Sequence, residues 1–155
     1  MYKRDSQLNF IINRLIEMLS LQLIKVRGKS MEPSIAENSW VVSFRAGFRR
    51  QPPRRFDVIR LEEPGTYGHW IVKRIVGMPG EEVAVRGGDL FVNGEMVDDP
   101  FAYCPDADSG IHEWWPRDDE YVVLGDNRSA STDSRKFGAI KRSSIRARIR
   151  TFRPN

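Results

Sequence analysis

The sequence predicts a mainly β fold: a small β-barrel core preceded by one N-terminal amphipathic helix. Three observations predict it. From Trp40 onward, short runs rich in valine, isoleucine and aromatics alternate with turns marked by glycine and proline. Asn93-Gly94, set between Leu90-Phe91-Val92 and Glu95-Met96-Val97, is the strongest short hairpin pattern known. Ahead of them, Leu8, Ile11, Ile12, Leu15, Ile16, Leu19 and Leu23 recur at helical spacing. The chain has 155 residues, 40% apolar and 30% charged, enough for one globular domain with a real core.

Taken in order, residues 1–25 form the helical unit, with the apolar face over 8–24. Asn9, Asn13, Arg14, Glu17, Ser20 and Gln22 interrupt that run. A spanning helix needs about 20 mostly apolar residues, so this one is not expected to cross a membrane. It also lacks the short apolar core and cleavage site of a signal peptide. Packing on the domain, pairing with a partner and lying in a membrane interface all stay open. Strands are then expected at Trp40–Phe44, Asp57–Leu61, Trp70–Val76, Glu82–Val85, the Asn93-Gly94 hairpin, Tyr121–Leu124 and Ile145–Thr151. Residues 46–55 and 62–68 read as loops, and the acidic, aromatic stretch 98–119 as an excursion from the sheet.

Charge is unevenly spread around a net +4. Arg45, Arg49, Arg50, Arg54, Arg55 and Arg60 crowd one segment, and Arg135 to Arg153 carries a second basic run. Residues 95–120 are strongly acidic. Such a basic surface suits anionic lipid headgroups or nucleic acid, or is simply solvated. Cys104 is the only cysteine, so no intramolecular disulfide can form, and His69 and His112 are the only histidines. A zinc site or a histidine-based triad is therefore not expected, and no metal or other cofactor is called for.

Three blocks carry chemistry. In a strand, Ile71, Lys73 and Ile75 share one face. Turned inward, Lys73 would be desolvated, its ammonium disfavoured, and the neutral amine able to take a proton from a hydroxyl. Alternation alone leaves a solvent-facing lysine open. Ser30 sits in Gly28-Lys29-Ser30-Met31-Glu32-Pro33, where Gly28 allows close backbone approach and Pro33 fixes the chain just after the serine. A nucleophile needs such a held turn, with its own N–H free for a developing oxyanion. A turn serine capping local backbone is the plain alternative. The third block runs from Gly125-Asp126-Asn127 through Ser131, Asp133, Ser134 and Arg135. There Asp133 and Arg135 can pair, and Ser131 can hold an amine in line.

In this order the blocks resemble those of type I signal peptidases, the S26 family of serine–lysine proteases. Ser-Met-x-Pro resembles the nucleophile box, Lys73-Arg74-Ile75-Val76-Gly77-Met78-Pro79-Gly80-Glu81 the lysine box, and residues 125–138 the long C-terminal box. The likeness covers roughly residues 26–150. It implies a signal-peptidase-like catalytic domain over 26–155 with a short second β lobe over 86–120. It implies a serine endopeptidase that removes signal or leader peptides, with Ser30 as nucleophile and Lys73 as general base. Ser131 would orient Lys73, Asp133 and Arg135 would brace the loop, and the Ser30 N–H would serve the oxyanion. Gly28, Met31 and Pro33 are the candidate substrate-binding positions. The expected partner is a precursor protein or peptide with small residues before the cut, with an anionic membrane surface as a second partner and no nucleic acid. Peripheral membrane attachment is the expected location, a soluble enzyme the other reading. Three rivals remain. One is a maturation protease dedicated to one partner. Another is a LexA-type self-cleaving regulator, which would need a cleavage dipeptide upstream of Ser30. The chain's one Ala-Gly, Ala46-Gly47, lies downstream instead. The last is a basic β-barrel that binds nucleic acid or anionic lipid.

Overall fold

A computed structural model describes residues 21–45, 48, 51–104 and 110–151. The expected helix over 8–20 lies outside these residues. Its last predicted turn is not helical: Leu21–Lys25 is a strand, β1. It pairs antiparallel with β2 (Trp40–Phe44), from Leu21 against Phe44 to Lys25 against Trp40. Leu21 and Leu23 stay exposed in that ladder, so Leu23, which fits a helix face in the sequence, here lies on the outside of a strand.

The remaining strands are β3 (Val58–Glu62), β4 (Trp70–Gly77), β5 (Val83–Arg86), β6 (Asp89–Val92), β7 (Glu95–Val97), β8 (Ile111–Trp114), β9 (Glu120–Leu124), β10 (Ile140–Lys141) and β11 (Ile145–Thr151). They form two sheets. The larger runs β1-β2-β11-β3-β4-β9-β10, and the smaller β7-β6-β5-β8. With β1 and β10 at its ends, the larger sheet curls as a half-barrel, the expected core, and the smaller sheet is the second lobe. The expected hairpin turns at Asn93 (φ 51°) and Gly94 (φ 82°), two left-handed residues in succession that match the twist of the flanking strands.

The smaller sheet begins at Val83, with β5 as one of its two interior strands. The excursion at 98–119 also contains a strand. β8 pairs Trp114 with Val83, and its Trp114 indole N–H donates to Ser134 O at 3.1 Å. Flanking acids and Pro116 hide this strand from a pattern search.

Three apolar clusters hold the fold. Val76, Val83, Leu90, Trp114 and Leu124 pack between the sheets. Ile59, Leu61, Ile75, Val123 and Ile145 fill the next layer, and Val26, Met31, Ile35, Val41 and Ile149 the last. β4 crosses all of this with both faces covered, since Lys73, Arg74, Ile75 and Val76 are all buried.

Candidate active site

Lys73 is only 4% exposed and its Nζ donates to Ser30 Oγ at 2.8 Å. Forty-three residues separate the pair in sequence. β4 supplies the lysine, pinned by ladders to β3 and β9. The turn after β1 supplies the serine, and its carbonyl accepts from Asn127 N at 3.0 Å. Burial lowers the Lys73 pKa from 10.5 to about 8, against the opposing pull of Asp133, Glu63 and Asp126. No hydrogen bond among the described residues engages the Ser30 N–H.

Behind this pair stands a polar frame built by residues 125–135. Arg135 Nε meets Asp133 Oδ1 at 2.9 Å, and Arg135 also donates to Arg128 O at 2.7 Å. The other Asp133 oxygen accepts from Gly125 N at 3.0 Å. Burial works against the Asp133 charge, but the Arg135 guanidinium and the Gly125 N–H outweigh it and hold its carboxyl below the usual range. Ser131 is close enough to Asp133 to aid that charge slightly. Its Oγ is nonetheless buried with no hydrogen bond of sound geometry to Lys73 or to any other group among the described residues. Ser131 packs directly over Gly125: a Cβ there would fall 2.2 Å from Ser131 Oγ and 2.5 Å from Ser30 O.

Four residues of the frame read in the sequence as turn or strand only. Arg74 makes a two-pronged ion pair with Asp126, at 2.7 and 2.6 Å, and its guanidinium lies 3.6 Å from the centre of the Phe101 ring. Arg128, buried, pairs with Asp99 of the second lobe. Asn127 binds Ser30 O through its backbone. The available signal is an arginine adjoining a candidate site residue, because a buried guanidinium demands a carboxylate.

A groove of about 360 Å³ opens at Ser30 and Lys73, lined by β1 and the next residues (Ile24–Arg27) on one side and His69–Lys73 on the other. Of the three candidate substrate-binding positions, Met31 lines it. Gly28 and Pro33 do not. Gly28 takes a left-handed turn (φ 84°) with its N–H given to Glu37, and Pro33 is exposed outside the groove. The basic segments are less free than composition implied, because Arg55 pairs with Glu81 and Arg148 with Asp57. No helix among the described residues is long and apolar enough to cross a membrane. Nor does any cluster of three or more metal-ligating side chains occur among them.

Comparison of the chain with known proteins places it in a peptidase family. The chain belongs to the S26 family: the family model described as "Signal peptidase, peptidase S26" matches residues 7–152. Among curated proteins it is 32% identical over 131 residues to a probable signal peptidase I-2 of Synechocystis, covering 79% of this chain and 58% of that protein. It is 31% identical to signal peptidase I V of Bacillus subtilis, covering 78% and 79% respectively. The chain spans 58% and 62% of the length of the Synechocystis protein and of a Leptolyngbya laminosa signal peptidase I. A solved signal peptidase I from Enterococcus faecalis superposes with a TM-score of 0.55 at 29% identity, covering 62% of this chain and 95% of that one.

Proposed function

We propose that the chain is a serine endopeptidase of signal peptidase I type, cutting signal or leader peptides from precursor proteins. The observation that carries this is the 2.8 Å approach of a desolvated lysine to Ser30. With a pKa of about 8, the Lys73 amine is neutral in a useful fraction of molecules near neutrality. In that form it accepts the Ser30 proton as Oγ attacks the scissile carbonyl. The oxyanion gathers at the unengaged Ser30 N–H. Lys73 then returns the proton to the leaving amine, and water, deprotonated by the same amine, releases the acyl group. Ser131, whose buried hydroxyl lies against Gly125, orients the amine. Asp133 and Arg135 keep that loop in place.

The substrate enters as an extended strand. Among the described residues β1 pairs only with β2, and β9 pairs with β4 only from Arg74 onward, so that no described strand pairs with the second edge of Trp70–Lys73, which faces the groove. Two free edges flank Ser30, and backbone pairing to them supplies affinity. Met31 floors the groove and favours small side chains before the cut. Exposed Leu21, Leu23 and Trp40, with the arginines of β11, suit reversible contact with an anionic membrane surface.

The test incubates the full chain with a signal-peptide-bearing precursor, with and without anionic vesicles, beside Ser30→Ala and Lys73→Ala. Mass spectrometry should find one cut after a small residue in wild type and none in either variant. Cleavage that survives Ser30→Ala, or a cut placed after bulky or basic residues, refutes the reading. A panel of unrelated precursors separates a general processing enzyme from a dedicated maturation protease.

A further inference from the structure

The groove has a second charged end, which the cleavage chemistry does not use. Arg60 of β3 lines it beside Trp70, its guanidinium 4.8 Å from the centre of the indole ring. Arg146 of β11 approaches the same ring at 5.6 Å. One indole thus holds guanidinium groups from two strands, each restrained by the ring's negative face. No carboxylate pairs with Arg60 among the described residues. No aspartate or glutamate lines the groove, while Lys25 and Arg27 line it as well. Burial, with the nearby Arg45 charge, pushes the Arg60 guanidinium below its ordinary pKa, as befits a cation short of a counter-ion.

The strand register sets the spacing. Arg60 stands opposite Val72, and Trp70 opposite Glu62, on the β4 segment that ends at Lys73. In that register Arg60 stands one strand residue and Trp70 three from Lys73, at roughly 3.3 Å per residue. A peptide extended in the groove with its scissile bond at Ser30 carries a side chain to that pair. An anionic lipid would meet the exposed Arg146 and Arg150 first, whereas Arg60 lies in the groove that Ser30 and Lys73 share.

We propose that Arg60, stacked on Trp70, is a specificity-determining residue that recognises an acidic side chain within four residues of the scissile bond of the substrate. The proposal rests on the reading of the groove as a peptide-cleaving site. A partly exposed ion pair of this kind is expected to favour glutamate over glutamine by roughly three- to tenfold in kcat/KM at low salt.

The experiment uses peptides identical except for Glu, Gln or Lys at each of four positions on either side of the cut. They are assayed with wild type, Arg60→Met and Arg60→Glu. At one position, Glu should exceed Gln by the stated factor, and the advantage should shrink as salt screens the pair. It should vanish in Arg60→Met and reverse toward Lys in Arg60→Glu. Glu no better than Gln at every position, or a Glu preference that survives Arg60→Met, overturns the proposal. If the Arg60 variants fail to fold, the salt series on wild type decides alone, and a salt-independent preference is a refutation. Binding of the same peptides to Ser30→Ala separates the two claims. Glu preference in binding without cleavage by wild type keeps this inference and sinks the peptidase reading. Cleavage without Glu preference does the reverse, as does tight binding of anionic vesicles with no discrimination among peptides.

Discussion

Lys73→Met should make the protein more stable while ending cleavage. Burial lowers the Lys73 pKa from 10.5 to about 8, so the folded state resists a charge that the unfolded chain carries freely. That gap corresponds to about 3 kcal/mol at neutral pH. Methionine keeps the length and apolar contacts of the stem and removes the ammonium. It also removes the hydrogen bond to Ser30, worth about 1 kcal/mol. The net expectation is about 2 kcal/mol of added stability at pH 7, or a rise of about 4–8 °C in Tm for a chain of this size. The sign changes with pH in a defined window. Between pH 8 and 10.5 the unfolded lysine holds more proton than the folded one, so wild-type stability rises with pH there. The advantage of Lys73→Met is therefore full below about pH 8 and closes as pH climbs toward 10.5. Urea melts of both proteins from pH 6 to 10.5 measure it, and other titrating groups cancel in the difference. A variant less stable than wild type at pH 7, or a difference that does not change with pH, refutes the account of a desolvated amine.

Three further outcomes are expected. The cleavage rate should climb about tenfold per pH unit below pH 8 and level off above it, as the amine loses its proton. A peptide-hydrolysis profile governed instead by a group near pH 6.5 would point to a histidine. Gly125→Ala puts a methyl 2.2 Å from Ser131 Oγ and 2.5 Å from Ser30 O, so it should cost about 1–3 kcal/mol in a urea melt and most of the activity. Arg74→Met strands the buried Asp126 carboxylate and should cost about 3–5 kcal/mol, much of it recovered by adding Asp126→Leu.

The strands are legible where one signal dominates. β2, β3, β4, β9 and β11 and the Asn93-Gly94 hairpin follow from β-branched runs and turn residues, because each buries a face that only those residues fill. β1 is not legible, because Leu19, Leu23 and their neighbours fit a period of 3.6 and only pairing with β2 makes 21–25 extended. β8 is hidden for the opposite reason, with Ile111 exposed and only Trp114 facing the core. In the site, Ser30, Lys73, Asp133 and Arg135 are legible through the resemblance of their blocks to the S26 boxes, because spacing alone leaves each an ordinary turn or strand residue. The partnership of Arg74 with Asp126 spans 52 residues and belongs to no local pattern. Gly28 and Pro33 shape the serine turn from outside the groove, a role that motif spacing does not separate from substrate contact.

The dipeptide Lys73-Arg74 explains why the lysine holds its aim. Consecutive strand residues point to opposite faces, so fixing one side chain fixes the twist at the next. Arg74 is clamped by both oxygens of Asp126, by Phe56 O at 2.9 Å and by the ring of Phe101. Asp126 in turn passes its carbonyl to Tyr103 N at 2.7 Å, while its neighbour Asn127 binds Ser30 O at 3.0 Å. The serine turn and the lysine strand are thereby tied to the same three residues, Gly125 to Asn127, from opposite sides. A loss at Arg74 or Asp126 should accordingly disturb the 2.8 Å Lys73–Ser30 contact, although neither side chain touches it. The C-terminal box keeps Ser30 and Lys73 in register by holding the backbone of the one and the strand neighbour of the other.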